Sequence, residues 1–317
     1  MLADLKFVQG AVAKKDPVPV LTHFSIRGGR VKGYNGLVTL CSPIPLSLDC
    51  QPKADAFTKA IGICEETVAL SLTKAGRLTV ASGRFKSHID CSPDAFPEIE
   101  PDGQRIPIEP GLRHAFKVLQ PLIAEDDSRK WARGILLREG SAYATNNVAI
   151  GQFWTAIQLP FDMNVPAEAV KEVVRVKEDP IAIQATETSI TFHYETGRWI
   201  RSQLLSTAWP NLAPVLDRPC NPEPLTVGFF EALGSIVHFA EKNRKVFFNP
   251  NGVHTHEGEE GASVALEEWK GWRGIYNIDQ LRVLDGLVSM VDWSLYPAPA
   301  LFFGEERFRG AIVGMKP

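Results

Sequence analysis

Gly83-Arg84-Phe85-Lys86, followed by Asp94-Ala95-Phe96-Pro97-Glu98-Ile99, is the stretch on which the fold turns, because the chain carries it again. Gly197-Arg198-Trp199-Ile200-Arg201 leads into Ala208-Trp209-Pro210-Asn211-Leu212, and Arg307-Phe308-Arg309 starts a third copy. Between the first two copies the arginines lie 114 residues apart and the prolines 113, and the third arginine follows the second by 109. A period of this size predicts one domain plan used three times.

Working outward, each third divides again. Six helical patterns carry apolar residues at spacings of three, four and seven: Leu5, Val8 and Val12; Phe57, Ala60, Ile61 and Cys64; Leu112, Ala115, Leu119 and Ile123; Ala167, Val170, Val173 and Val174; Phe229, Leu233, Ile236 and Val237; Leu281, Leu284 and Val288. Such spacing buries one face of a helix. Strands follow, as in Val68–Leu72 and Arg77–Val80 around Ala75-Gly76, matched by Ile181–Ala185 and Ile190–Tyr194 one repeat later. Alternation around a short polar turn reads as a hairpin. Prolines cluster from Pro97 to Pro110 and from Pro210 to Pro224, and these stretches read as extended linkers. The expectation is an α+β protein of three similar domains, 1–104, 105–217 and 218–317, each made of two helix-plus-antiparallel-sheet halves.

The bulk numbers fit. Among 317 residues, 44% are hydrophobic and 22% charged, so each third is large enough for its own core. A net charge of −3 advertises no global affinity for nucleic acid, although a local basic surface survives any average. The five cysteines (Cys41, Cys50, Cys64, Cys91, Cys220) are odd in number and scattered, which argues against a disulfide framework and suits a reducing cytosol. The start, Met1-Leu2-Ala3-Asp4-Leu5-Lys6, does not read as a signal peptide, and no apolar run reaches membrane-spanning length. A cytoplasmic protein without membrane contact is expected.

The chain resembles the bacterial-type β sliding clamp, the processivity ring of replicative DNA polymerase. The resemblance covers essentially all of the sequence. It rests on Gly83-Arg84-Phe85 leading into Asp94-Ala95-Phe96-Pro97, on Gly197-Arg198-Trp199 leading into Trp209-Pro210, on Pro19-Val20-Leu21, and on the ending Ala311-Ile312-Val313-Gly314-Met315-Lys316-Pro317. It departs from the family where Ala144-Thr145-Asn146-Asn147-Val148-Ala149-Ile150 replaces a segment that usually holds a histidine and an arginine. The chain is also short for the family, and such drift fits a divergent member, for instance a phage-encoded one. The resemblance implies a homodimeric ring with contacts between first and third domains, sequence-independent binding of double-stranded DNA, and as partners the polymerase, a clamp loader and other clients with peptide motifs. It implies no cofactor and no enzymatic activity.

In such a ring the helices present cations to the duplex. The candidates are Lys6, Lys14, Lys15, Lys53, Lys59, Arg113, Lys117, Lys171, Arg175, Lys177 and Arg282. Arg113/Lys117 and Lys171/Arg175 are each four apart and share a helix face. A solvated helix surface is the plainer account of any one of these helices, and agreement among four of them tips the balance. The resemblance further implies a client-peptide pocket of Ala132, Thr145, Asn147, Val148, Ala149, Ile150, Pro210, Pro214, Val215, Ile312, Val313, Gly314, Met315 and Lys316, set against ordinary core and linker roles for the same residues.

Three further readings stand beside these. The Arg-aromatic copies are read as scaffold, with Phe85, Trp199 and Phe308 plugging equivalent core sites and the arginines facing outward. A clamp-fold scaffold that binds proteins without encircling DNA is the alternative function. A metal-dependent enzyme is a second alternative, since Val253-His254-Thr255-His256 puts two imidazoles at metal-capable spacing beside Glu257, Glu259 and Glu260.

Overall fold

Three two-residue hairpin turns recur at a constant spacing of 111 residues and organise the chain: Arg27 pairs with Arg30, Arg138 with Ser141, and Asn249 with Gly252. Positive φ at Gly28 and Gly29 (57° and 70°) and at Glu139 and Gly140 (47° and 74°) gives the first two the turn twist that suits a tight hairpin. The computed structural model describes every residue except Glu66, Asp127, Glu259, Glu305, Glu306 and Pro317. The chain divides into two units, Met1–Arg113 with Val165–Leu205 and His114–Asn164 with Ser206–Pro317.

The first unit holds a seven-stranded sheet. Its order is β1 (Ser25–Arg27), β2 (Arg30–Tyr34), β3 (Val38–Pro43), β14 (Trp199–Gln203), β13 (Ser189–His193), β12 (Ala182–Ala185) and β7 (Gln104–Pro107). A three-stranded sheet of β4 (Ala69–Leu72), β5 (Leu78–Ser82) and β6 (Phe85–Ile89) accompanies it. Helices α1 (Leu2–Val8), α2 (Ala54–Ile63) and α4 (Ala167–Arg175) bury Leu5, Phe7 and Val8, then Phe57, Ala60 and Ile61, then Ala169, Val170 and Val173. These are the expected apolar stripes. Gly10 leaves room for the Glu172–Arg175 pair, since a Cβ there would lie 2.2 Å from Glu172 Oε2 and displace that side chain.

The second unit holds an eight-stranded sheet. Its order is β11 (Met163–Pro166), β8 (Gly134–Arg138), β9 (Ser141–Thr145), β10 (Ala149–Trp154), β22 (Phe308–Ile312), β21 (Ala300–Phe303), β20 (Met290–Asp292) and β15 (Glu223–Pro224). A four-stranded sheet runs β18 (Ser263–Ala265), β17 (Gly252–His254), β16 (Lys245–Asn249) and β19 (Gly274–Asn277). Helix α3 (Leu112–Leu119) spans the division between units; α5 (Ala213–Leu216), α6 (Phe229–Ile236) and α7 (Ile278–Arg282) lie in the second. All described strand pairs are antiparallel, which bears out the α+β expectation. Among the described residues no helix is long and apolar enough to cross a membrane.

Each large sheet has a face packed on the longer helices and a second, more open face that linker chain crosses, through Glu100 and Asp102 in the first unit and Leu216 in the second. In the first unit Gly33 faces Val8 and Val12, and in the second Gly151 faces Leu119 and Leu122. Because side chains alternate along a strand, these contacts and the register assign every position.

Four expectations need correcting on this basis. Trp199 stands opposite Cys41 on the open face, whereas Phe308 stands opposite Phe153 on the helix face, so the two aromatics do not plug equivalent sites. Phe85 is only half-buried on β6. Arg198 does not face outward; it donates to Asp4 Oδ1 at 2.9 Å and Ser42 Oγ at 3.3 Å, with its guanidinium 5.1 Å from the Phe7 ring. The linkers are not simply extended, since residues 104–107 form edge strand β7 and 213–216 a helical turn. Proline tolerates both places, at the edge of a sheet and in the first turn of a helix.

Candidate functional site

On the open face of the eight-stranded sheet, alternation brings forward Tyr143 from β9, Ile150 and Gln152 from β10, Arg309 and Ala311 from β22, and Leu301 and Phe303 from β21. Helix α5 lies across them. Its Leu216, 3% exposed, packs with Leu301 and Ala311, and Tyr143, Ile150, Leu212, Val215 and Phe303 surround this cluster half-exposed. The result is an apolar floor with a short helical wall. Burying a leucine side chain of this kind contributes about 2 kcal/mol.

Arg309 fastens the wall to the floor. It donates to Leu216 O at 3.0 Å, to Asp217 Oδ1 at 2.7 Å and to Gln152 Oε1 at 2.5 Å. The first bond satisfies a carbonyl that the helix end leaves without a partner. Gln152 in turn donates to Tyr143 Oη at 3.1 Å and Ser141 Oγ at 2.9 Å, so the polar atoms under the apolar rim are spoken for. Trp209, at the repeat of Phe96, is 8% exposed and meets Trp131 edge-on at 4.9 Å.

The segment 145–150 closes one end of this face. Asn146 Oδ1 accepts from Val148 N at 3.1 Å and Ala149 N at 2.9 Å, while Asn147 takes φ 72°. Asn tolerates that left-handed conformation better than most residues. The C-terminal segment is pinned alongside: Val313 N donates to Val148 O at 2.9 Å, Met315 N to Ile275 O at 2.7 Å, Tyr296 Oη to Met315 O at 2.7 Å and Lys245 Nζ to Lys316 O at 2.8 Å.

Of the fourteen expected pocket residues, Ile150 and Val215 line the apolar floor. Asn147, Val148, Val313, Gly314, Met315 and Lys316 form the adjoining edge, and Pro210 and Pro214 are exposed on the linker. Ala132, Thr145, Ala149 and Ile312 are 0–6% exposed; Ala149 and Ile312 lie on the helix face beneath, and Thr145 stands opposite Ile150 on the floor itself but buried. Pro317 lies outside the described residues. Sequence reasoning missed Tyr143, Leu212, Leu216, Leu301, Phe303 and Ala311. Alternation along β9, β21 and β22 exposes them only once the register between β10 and β22 is known.

The expected cations fall into two sets. Lys6, Lys14, Lys15, Lys53, Lys117, Lys171, Lys177 and Arg282 are exposed. The others are engaged: Arg113 donates to the carbonyls of Val174 (3.2 Å) and Val176 at the end of α4, Arg175 to Glu172 Oε2 (2.7 Å) and Phe7 O (2.7 Å), and Lys59 pairs with Asp55 at 2.8 Å. Helix-end carbonyls are natural acceptors for arginine, which removes Arg113 and Arg175 from the free set.

The histidine pair separates. β17 ends at His254, whose ring meets the Asn249 amide, while His256 sits in the following turn, 3.3 Å from Glu241 Oε1 and 2.9 Å from Thr255 Oγ1. Burial pushes the His254 ring toward its neutral form. Among the described residues no three metal-ligating side chains converge, and Glu259 lies outside them.

No protein-family model matches the chain. The β sliding clamp of Chlamydia pneumoniae is 22% identical over 254 residues, which cover 68% of this chain but only 65% of that protein, less than two thirds of its length. The DNA polymerase III subunit β of Pseudomonas aeruginosa superposes with a TM-score of 0.85 at 19% identity, covering 100% of this chain and 97% of that one. The Helicobacter pylori β clamp bound to a DNA ligase peptide gives 0.83 at 16% identity, with the same coverage. The chain therefore has the fold of the bacterial β sliding clamps from end to end, at a sequence distance that leaves its own surfaces to be read residue by residue.

Proposed function

We propose that two copies of this chain close a ring around duplex DNA, which slides while holding a replicative polymerase. The observation that carries the reading is the half-exposed apolar floor of Tyr143, Ile150, Leu212, Val215 and Phe303, walled by α5, in a chain with the clamp fold over its whole length. A groove of this kind suits short peptide segments of a polymerase, a clamp loader and other clients, and Met315 at its edge adapts to varied side chains. In the Helicobacter pylori relative the bound peptide comes from a DNA ligase.

On this reading the thirds 1–104, 105–217 and 218–317 act as domains. Among the described residues the small sheets of the first and last thirds end in unpaired strands, β6 on one and β18 on the other, and unpaired edges are templates for a second chain. The exposed cations, Lys6, Lys14, Lys15, Lys53, Lys117, Lys171, Lys177 and Arg282, touch phosphates without reading bases, and such contacts let a protein slide. Arg113, Arg175 and Lys59 serve structure first. The chain performs no chemistry of its own and works in the cytoplasm.

Retention on DNA tests the reading. A ring assembled on nicked circular DNA stays bound at moderate salt and is lost when the circle is cut, and its mass in solution is twice that of the chain. Equal retention on circular and linear DNA, or none on either, would replace the ring with a protein-binding scaffold.

A further inference from the structure

The open face of the eight-stranded sheet continues past the apolar floor to an exposed tryptophan. Trp154 follows Ile150 and Gln152 at the next outward position of β10, stands opposite Ser141 on β9, and is 57% exposed. A strand rises about 3.3 Å per residue, which puts Trp154 about 13 Å beyond Ile150. A cavity of about 400 Å³ lies beside it, lined also by Gln152, Phe303, Gly304, the exposed Arg307 and Arg309. All of these residues belong to the second unit.

The fold itself has no need of a tryptophan there. At the 111-residue spacing the first unit has Pro43, and Gly197 closes on it so tightly that a Cβ would lie 3.1 Å from Pro43 Cγ. In the second unit the indole is held by its edge instead. A Cβ on Gly140 would lie 3.4 Å from Trp154 Nε1, and the amides of Thr155 and Ala156 donate to Gly140 O at 2.8 and 2.9 Å. A large ring fixed in this way, with more than half of its surface open, is preorganised for contact. The base of the cavity offers little else, because Gln152 accepts from Arg309 and donates to Ser141. What remains to be recognised there is apolar. Phe303 joins the two places: it lines this cavity and packs against the Leu216 cluster of the floor, so they form one continuous surface.

We propose that the client groove extends into this cavity, where Trp154 and Phe303 take an aromatic side chain of the same client peptide. Extended peptide running along β10 covers about 13 Å in four residues, so this second anchor lies about four residues from the one on the floor. The extension rests on the client-groove reading, and it adds a side chain that a client must carry to bind tightly.

Fluorescence anisotropy on the full chain tests it with two labelled peptides, Phe-Ser-Gly-Ser-Leu-Leu-Ser-Gly-Ser-Phe and the same sequence with serine for both phenylalanines. The leucines serve the floor, and a phenylalanine four residues to either side serves the cavity whichever way the peptide runs. The phenylalanine peptide is expected to bind about tenfold tighter. Trp154→Ala should abolish that difference and leave the serine peptide as it was, Trp154→Phe should keep most of it, and Val215→Asp should weaken both peptides. Trp154 is exposed, and an unaltered melting curve shows that each variant folds. Equal binding of the two peptides, a difference that survives Trp154→Ala, or displacement of the phenylalanine peptide by a thymidine hexanucleotide would overturn the extension and leave the client groove standing. Binding of neither peptide at millimolar concentration would strike the groove and its extension together.

Discussion

The two large sheets are built alike and present different surfaces, Lys32 standing in one where Tyr143 stands in the other. The seven-stranded sheet shows Arg30, Lys32 and Arg201 on its open face, and the eight-stranded sheet shows Tyr143, Ile150 and Phe303. Their linkers are fastened in correspondingly different ways. In the second unit Leu216 plugs an apolar cluster. In the first, Asp102 accepts from Ser189 Oγ at 2.6 Å and from Arg201 at 3.0 Å. The difference teaches that a repeated backbone fixes where a groove can be, and a handful of side chains decides what enters it.

Four substitutions would break or sharpen the contrast. The largest effect belongs to the apolar plug: Leu216→Ala should cost about 2–5 kcal/mol of unfolding free energy, read by chemical denaturation, since a buried leucine leaves a cavity. Tyr143→Lys, which copies Lys32 into the second unit, should weaken client-peptide binding by about 2–4 kcal/mol in a titration, as loss of an aromatic anchor does. An unchanged affinity would place the groove elsewhere.

The polar clasp should matter less. Asp102→Asn is expected to cost about 0.5–1 kcal/mol at neutral pH, because the pair with Arg201 is half-exposed. Burial opposes the Asp102 carboxylate, yet the bonds from Ser189 and Arg201 hold its pKa below the ordinary carboxylate range. A depressed carboxylate pKa stabilises the fold above the unfolded-state value and loses that effect as pH falls through the folded-state value. The difference between Asp102→Asn and the parent chain should therefore shrink in strong acid.

The smallest effect concerns His193, on the same open face. Burial, reinforced by Arg105, pushes its pKa down to about 4, and its ring meets Gln184 Oε1 at 2.9 Å. The unfolded chain then binds the extra proton between pH 6.5 and about 4, so stability falls on acidification through that window. His193→Gln should flatten the pH dependence of the melting temperature there, with little change at pH 8.

The helices were legible in the sequence because burial enforces their spacing. Phe57, Ala60 and Ile61, and likewise Val170 and Val173, lie where the pattern put them. The hairpins at Ala75-Gly76 and after Ala185 were legible through their turns. What escaped was non-local. The Arg-aromatic copies look aligned in sequence, yet their registers differ by one residue, and one residue reverses the face. Arg113 and Arg175 looked like free cations because nothing in their helices announces the carbonyls that capture them. The helical turn at 213–216 was hidden by Pro214, which reads as a breaker but suits the first turn of a helix. Within the apolar floor only Ile150 and Val215 were foreseen, since the other members come from strands whose pairing the sequence does not state.

The seam in each large sheet also bears on how the protein is made. Arg198 meets Ser42 across 156 residues, and Arg309 meets Gln152 across 157. Strand β3 therefore leaves the ribosome long before β14 exists to pair with it, and β10 waits in the same way for β22. Contacts this distant in sequence slow folding, and unpaired edges invite association while they wait. Truncation after residue 190 should leave β3 as an open edge, so a nascent chain of that length is prone to associate through it.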